Sequence, residues 1–233
     1  MTKNSNFLVF ICVVYYACGS PIWAQEEVRG ANVLLEIQPS ARNGALGGIR
    51  SGHNANLGNL GFDASGLNEF QGRALEISHS EEFGGANYDW IALAIPIDST
   101  QGNLAFQMGR YSIDNIYRTQ EGIVYTGNEI PTFSISEYYF SSFWAKRYFQ
   151  WDLGLGIHAV YRQLDQDGFG IRLDASISRM FWHSLRMGLV WEGASSSATQ
   201  WESGYLEYAP PEFYPHVSWQ KELPYFYGVL HVY

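Results

Sequence analysis

Residues 151–178 alternate between apolar and polar or small side chains, and this period of two constrains the fold more than any other feature of the chain. Trp151, Leu153, Leu155, Ile157, Ala159 and Tyr161 fall on one face, with Asp152, Gly154, Gly156, His158, Val160 and Arg162 on the other. After a turn at Gln166-Asp167-Gly168, Phe169, Ile171, Leu173, Ala175 and Ile177 continue the apolar face opposite Gly170, Arg172, Asp174, Ser176 and Ser178. A helix cannot sort side chains this way, whereas two strands of a hairpin do.

The same alternation runs through 87–97, with Ile91, Leu93 and Ile95 set against Asp89, Ala92 and Ala94. It recurs in 102–112, where Leu104, Phe106 and Met108 oppose Asn103, Ala105 and Gln107. Further strands are predicted at 73–80, 134–146, 184–193, 213–220 and 224–233, about nine in all, and the short turns between them make an antiparallel meander. Composition agrees: 16% charged, 16% aromatic and 24 Gly residues are too apolar for a disordered chain and too Gly-rich for a helical bundle. A mean hydropathy of −0.16 excludes a multi-helix membrane protein. The formal charge of −9, without a basic run, argues against a nucleic-acid partner.

Strand length and face chemistry separate a membrane barrel from a soluble sandwich. Sandwich strands run about five or six residues with charges outward. Many here run about nine to twelve, the length a tilted strand needs to cross a hydrocarbon layer. The polar rows, with Gly154, Gly156, Gly170 and Ser176 small and Arg172 placed to pair with Asp174, read as a wet interior. Aromatics gather near strand ends, as in Tyr138-Tyr139-Phe140, Phe143-Trp144, Tyr148-Phe149, Trp151, Phe181-Trp182 and Tyr225-Phe226-Tyr227. Such clusters form girdles at membrane–water interfaces. The expected fold is an all-β antiparallel meander forming an outer-membrane β-barrel. The rival is a soluble periplasmic β-sandwich acting as a binding or structural module.

The first 24 residues read as an export signal: Lys3 precedes an apolar stretch at 7–18, Gly19, Ser20 and Pro21 break it, and cleavage is expected after Ala24. Both cysteines, Cys12 and Cys18, lie in it, so the exported body carries no thiol for a disulfide or metal. Residues 25–72 form an N-terminal segment with a Gly-rich, plug-like element, and 73–233 carry the barrel strands.

The chain reads SARNGALGGIRSG at 40–52 and GFDASGL at 61–67. This resembles the N-terminal signature of the PorV/PorQ-type outer-membrane proteins, distant relatives of the FadL-like transporters. In that signature an Ala-Arg-x-x-Ala-Met-Gly-Gly-Ala element precedes Asn-Pro-Ala-Gly-Leu. Ala41, Arg42, Ala45, Gly47 and Gly48 match the first, with Leu46 in place of Met; Gly66 and Leu67 match the second, with Asp63, Ala64 and Ser65 replacing Asn-Pro-Ala. GFGIRLDASI at 168–177 is similar to the family's Gly-x-Gly-x-x-x-Asp strand, and APPEFYPHVSW at 209–219 to its Pro-Pro stretch. The resemblance implies a barrel of roughly fourteen strands with the N-terminal element tucked inside. With about nine strands read, the sheet is expected to be incomplete or open, short of the family's C-terminal third. It also implies handling of secreted proteins at the outer membrane, as in type IX secretion, or FadL-like passage of apolar small molecules. The partners implied are outer-membrane lipid with secretion-machinery proteins or apolar small molecules.

No catalytic or metal-binding set stands out. His53, His79, His158, His183, His216 and His231 form no His-x-x-x-His or Glu-x-x-His pair, and no Ser/His/Asx set is legible, so a non-enzymatic protein without cofactor is expected. Asp165-Gln166-Asp167-Gly168 reads as a hairpin turn, and 193–204 (GASSSATQWESG) as a mobile loop. The plug and lumen candidates are Arg42, Gly47, Gly48, Asp63, Gly66, Asp152, Arg172 and Asp174. A guanidinium at Arg42 in a Gly-rich plug could bond several carbonyls, or a carboxylate at Asp63, Asp152 or Asp174.

Overall fold

Among the described residues, eleven strands carry the alternation into a single antiparallel sheet. A computed structural model describes residues 33–37, 40, 56–82, 84–98, 101–118, 130–164, 166–181, 184–194, 197–222 and 229–232. The leader, Arg42, Gly47, Gly48 and Tyr225-Phe226-Tyr227 lie outside the described residues. The strands are β1 (Ala74–Glu82), β2 (Ala86–Asp98), β3 (Gly102–Tyr117), β4 (Thr132–Tyr148), β5 (Trp151–Gln163), β6 (Asp167–Phe181), β7 (Leu185–Glu192), β8 (Ser197–Trp201), β9 (Leu206–Ala209), β10 (Glu212–Glu222) and β11 (Val229–Val232). No helix among the described residues is long and apolar enough to cross a membrane.

Consecutive strands pair in order from β1 to β7, then β10 and β11. β7 and β8 lie in tandem against β6: Ala175–Phe181 pair with β7 and Gly168–Ile171 with β8. β9 and β10 likewise lie in tandem against β8 and β7. The eleven strands therefore fill nine positions across the sheet. No pairing among the described residues joins β1 to β11, so the meander is not closed.

Part of the segment read as a loop is strand β8. Ser197 and Thr199 are buried there, opposite β6. Small polar side chains suggest a loop in a soluble protein, but they also suit the inner wall of a sheet with a polar interior. The Asp167-Gly168 step is a plain hairpin, with Asp167 opening β6 and accepting a hydrogen bond from Tyr161.

Among the described residues, three short 3-10 turns, Val33–Glu36, Leu57–Asn59 and Ala64–Glu69, pack on one face of the sheet. The seven residues from Asp63 to Glu69 touch β3, β4, β5 and β6 and reach Arg186 of β7 and His216 of β10. Laid flat, those six neighbouring positions would span about 24 Å at ~4.8 Å per strand, well beyond a single turn. The sheet therefore curls around the N-terminal segment.

The outward face is apolar, unlike the surface of a typical water-soluble protein. Ile77, Ile157 and Leu155 are 69%, 57% and 50% exposed, and Leu75, Ile91, Met108, Phe140, Ile171 and Leu189 share that face. Register extends the exposed residues into lateral rows such as Ile77–Ile91–Met108–Phe140–Ala159–Ile171. A sandwich buries such rows against a second sheet; here they are the outside of a single sheet. The inner face has two halves. On β2 to β5, Tyr88, Trp90, Ala92, Ala94, Ala105, Tyr139, Phe143 and Val160 pack with Leu34, Leu57, Leu60, Leu67 and Phe70 into the apolar core. On β5 to β7 the inner face is charged. Asp89, expected beside Ala92, instead shares the exposed row with Ile91 and meets His79 at 2.8 Å, because odd-numbered residues of β2 point outward.

The close fit has a local cause in Gly154, where an added Cβ would collide with the backbone of Ala64 and Ser65 and with Ser176 Oγ. Gly154→Ala is expected to destabilise the fold by about 1–3 kcal/mol and to raise protease cleavage within 56–70. Urea titration with limited proteolysis checks this, and an unchanged midpoint and digestion pattern would contradict the packing.

Candidate functional site

Alternation turns Asp152 and His158 of β5, Arg172, Asp174, Ser176 and Ser178 of β6, and Arg186 and Glu192 of β7 inward. Register sets them side by side: Asp152 opposite Ser178, His158 opposite Arg172, and Ser178 opposite Gly188. A charge withdrawn from water is tolerated only when opposite charges and hydrogen bonds meet it, and these side chains meet in two clusters, with a third elsewhere on the sheet.

The first centres on Arg186, which is fully buried. Its Nε and Nη2 donate to Ser178 Oγ at 3.1 and 2.7 Å, Nη2 lies 3.5 Å from Asp152 Oδ2, and Nη1 bonds Glu69 of the N-terminal segment. Asp152 also receives a bidentate pair from Arg147, at 2.7 and 3.0 Å.

This cluster anchors the Asp63-Ala64-Ser65-Gly66 element. Asp63 caps the Ala64–Glu69 turn, its Oδ1 accepting from Ser65 N–H at 3.0 Å and from Ser65 Oγ at 2.6 Å. Ser65 N–H also donates to Ser176 Oγ at 2.9 Å, and the Ser65 and Ser178 hydroxyls lie 2.6 Å apart. His216 Nε2 approaches Asp63 Oδ2 at 3.7 Å. Gly66 is buried in the same turn.

The second cluster centres on Arg172. Its Nη2 lies 2.8 Å from Asp174 Oδ2, and its Nη1 lies 3.2 Å from Glu36 and 3.9 Å from Glu192. Asp174 Oδ1 accepts from Gly193 N–H at 2.8 Å where β7 breaks toward β8. His158 Nε2 lies 2.9 Å from Asp174 Oδ2. Its Nδ1 meets Ser141 Oγ at 2.7 Å, and its ring stands edge-on to Phe143 at 5.4 Å. Ser141, His158 and Asp174 are the residue types of a hydrolase triad. Here Ser141 and His158 are sealed from solvent, and the cavity beside them, between Leu34, Gly61, Tyr139 and Arg172, has room for about one water. The three residues meet across β4, β5 and β6, and the described residues leave no room among them for an acyl substrate. Toward one end of the sheet, a third cluster joins Arg162 to Glu137 at 3.0 Å and to Glu207 at 3.5 Å, with Trp201 Nε1 donating to Glu207.

Of the predicted residues, Asp63, Gly66 and Asp152 gather in the first cluster, and Arg172 and Asp174 in the second. Arg42, Gly47 and Gly48 lie outside the described residues. The arginines seen on Asp152 are Arg147 and Arg186, and that on Asp174 is Arg172. Arg186, a fully buried charge, was missed although Arg186, Gly188, Val190 and Glu192 alternate as β5 does. Comparison with protein-family models, curated proteins and solved structures found no match.

Arg186→Met, which removes the charge while keeping much of the length, is expected to cost about 3–5 kcal/mol because Glu69 and Asp152 lose a buried partner. Urea-dependent unfolding measures it; a loss below about 1 kcal/mol would show that the cluster is not buried as described.

Proposed function

We propose that this chain is a non-enzymatic bacterial outer-membrane β-barrel protein, exported by the signal at its N-terminus. The observation that carries the reading is the outward display of contiguous Leu, Ile, Met and Phe rows while Arg186, Arg172 and His158 are buried. A soluble protein rarely leaves more than a few hundred Å² of contiguous apolar surface to water, whereas hydrocarbon is the natural solvent for such rows. On β5 the apolar row runs from Trp151 to Tyr161. At ~3.3 Å per residue that is about 33 Å, or ~23 Å across a layer at a 45° tilt, close to the ~25 Å apolar band of membrane barrels. Aromatic rings mark both margins, Tyr138, Tyr161 and Phe169 at one and Trp144, Tyr148 and Trp151 at the other.

The role proposed within that class is handling of secreted proteins at the outer membrane, as the PorV/PorQ resemblance implies. FadL-like passage of apolar small molecules needs an apolar route, and the wall of β5 to β7 presents Asp, Arg, Ser and Glu to a packed N-terminal segment. Deletion of the gene is expected to leave secreted proteins in the periplasm with long-chain fatty-acid uptake unchanged; lost uptake with normal secretion would reverse the assignment.

The membrane reading has its own test. Leu155→Arg is expected to impair assembly by about 2–4 kcal/mol in lipid, whereas an exposed substitution on a soluble protein changes stability by about 0.5 kcal/mol or less. Wild-type chain should fractionate with the outer membrane and need detergent. Recovery in the periplasmic wash, with Leu155→Arg neutral, would refute the reading.

A further inference from the structure

The two ends of the sheet differ in charge. The start of β1, the β2–β3 and β4–β5 turns and the end of β6 share one end. There Arg73 precedes β1, while Lys146 and Arg179 stand on the apolar outward face at its margin, opposite Leu153 and Trp151. Arg179 lies over the rings of Trp151 and Phe181, at 5.4 and 5.0 Å, and donates to Gln150. Its Nε is shielded from solvent and has no hydrogen-bond partner. At the same end Tyr148, the last residue of β4, and Phe149 of the β4–β5 turn stack edge-on. Among the described residues no carboxylate pairs with Arg73, Lys146 or Arg179. At the opposite end Glu81, Asp89, Asp114, Asp167 and Glu202 outnumber Arg110 and Arg118.

The geometry points to the first end as a binding rim for the phosphate of anionic phospholipids, an inference that rests on the membrane reading above. Cations at the border of an apolar band extend toward the headgroup layer, where aromatic rings also settle. A guanidinium at this margin, with no carboxylate paired to it among the described residues, is suited to donate to a phosphate oxygen. The acidic end repels the same headgroups, so the rim also sets which leaflet each end meets.

The test refolds the whole chain from urea into vesicles of phosphatidylcholine alone or mixed with phosphatidylglycerol, and reads the protein that floats with lipid across a lipid titration. Wild type is compared with the triple variant Arg73→Gln, Lys146→Gln, Arg179→Gln. Phosphatidylglycerol is expected to strengthen wild-type association by on the order of fivefold per cation at low salt, an effect lost at high salt and in the variant, with entry into phosphatidylcholine equal for both. Should the triple variant fail to enter phosphatidylcholine, Arg73→Gln and Lys146→Gln singly carry the same comparison. Equal phosphatidylglycerol responses in wild type and variant, or none in wild type, would overturn the inference alone. A wild-type chain that floats with neither vesicle overturns the membrane reading and this inference with it.

Discussion

A guanidinium cut off from water has to be met by oxygens of the protein itself, and Arg172 and Arg186 impose that condition at two levels of one wall. Arg186 is met from three directions, by Ser178 on the adjacent β6, by Asp152 on β5 beyond it, and by Glu69 and Ser65 on the N-terminal segment. Arg172 is met in the same way by Asp174, Glu36 and Glu192. The N-terminal segment is thus held by ionic and hydroxyl contacts on the β5–β7 side and by ordinary apolar packing on the β2–β5 side. Because strand side chains alternate, placing the charges inside puts Leu155, Ile157, Ile171 and Leu173 outside.

What could be read from the sequence was whatever depends on one strand. The two faces of β5 and β6 follow from parity, and so does the Arg172–Asp174 contact, since residues two apart in a strand share a face. Contacts that depend on register could not be read. Ser141, His158 and Asp174 lie on three strands and meet only because β4, β5 and β6 align as they do. The docking of Ser65 on Ser176 and Ser178 spans more than a hundred residues and rests on the missing side chain at Gly154. Ser197–Trp201 has the small polar residues of a loop in a soluble protein, and only the polar interior it faces makes it a strand. Arg186 sits in a plain alternation with no motif beside it, and its partners Asp152, Ser178 and Glu69 come from other strands and the N-terminal segment.

The sheet places a polar wall, an anchored N-terminal segment and an apolar exterior in one architecture, and the proposed membrane function follows from the exterior. The described strands leave β1 and β11 unjoined, and open edges are costly in hydrocarbon. A membrane form therefore requires further pairing at those edges. The anchored segment occupies the interior beside His158 and Arg172, which favours a role played at the surfaces and rims of the protein over one that passes apolar cargo through it.

The central claim is that the rows of Leu155, Ile157 and Ile171 face hydrocarbon while the rows between them face inward. Single cysteines placed at Leu155, Ile157 and Ile171, and at Gly156 and Ser176 of the inward rows, can each carry a fluorophore in a chain whose native cysteines, Cys12 and Cys18, are replaced. After reconstitution in vesicles containing brominated lipid, strong quenching at the first three sites and weak quenching at the other two is the predicted result. Equal quenching at all five, or quenching confined to the inward rows, would contradict it.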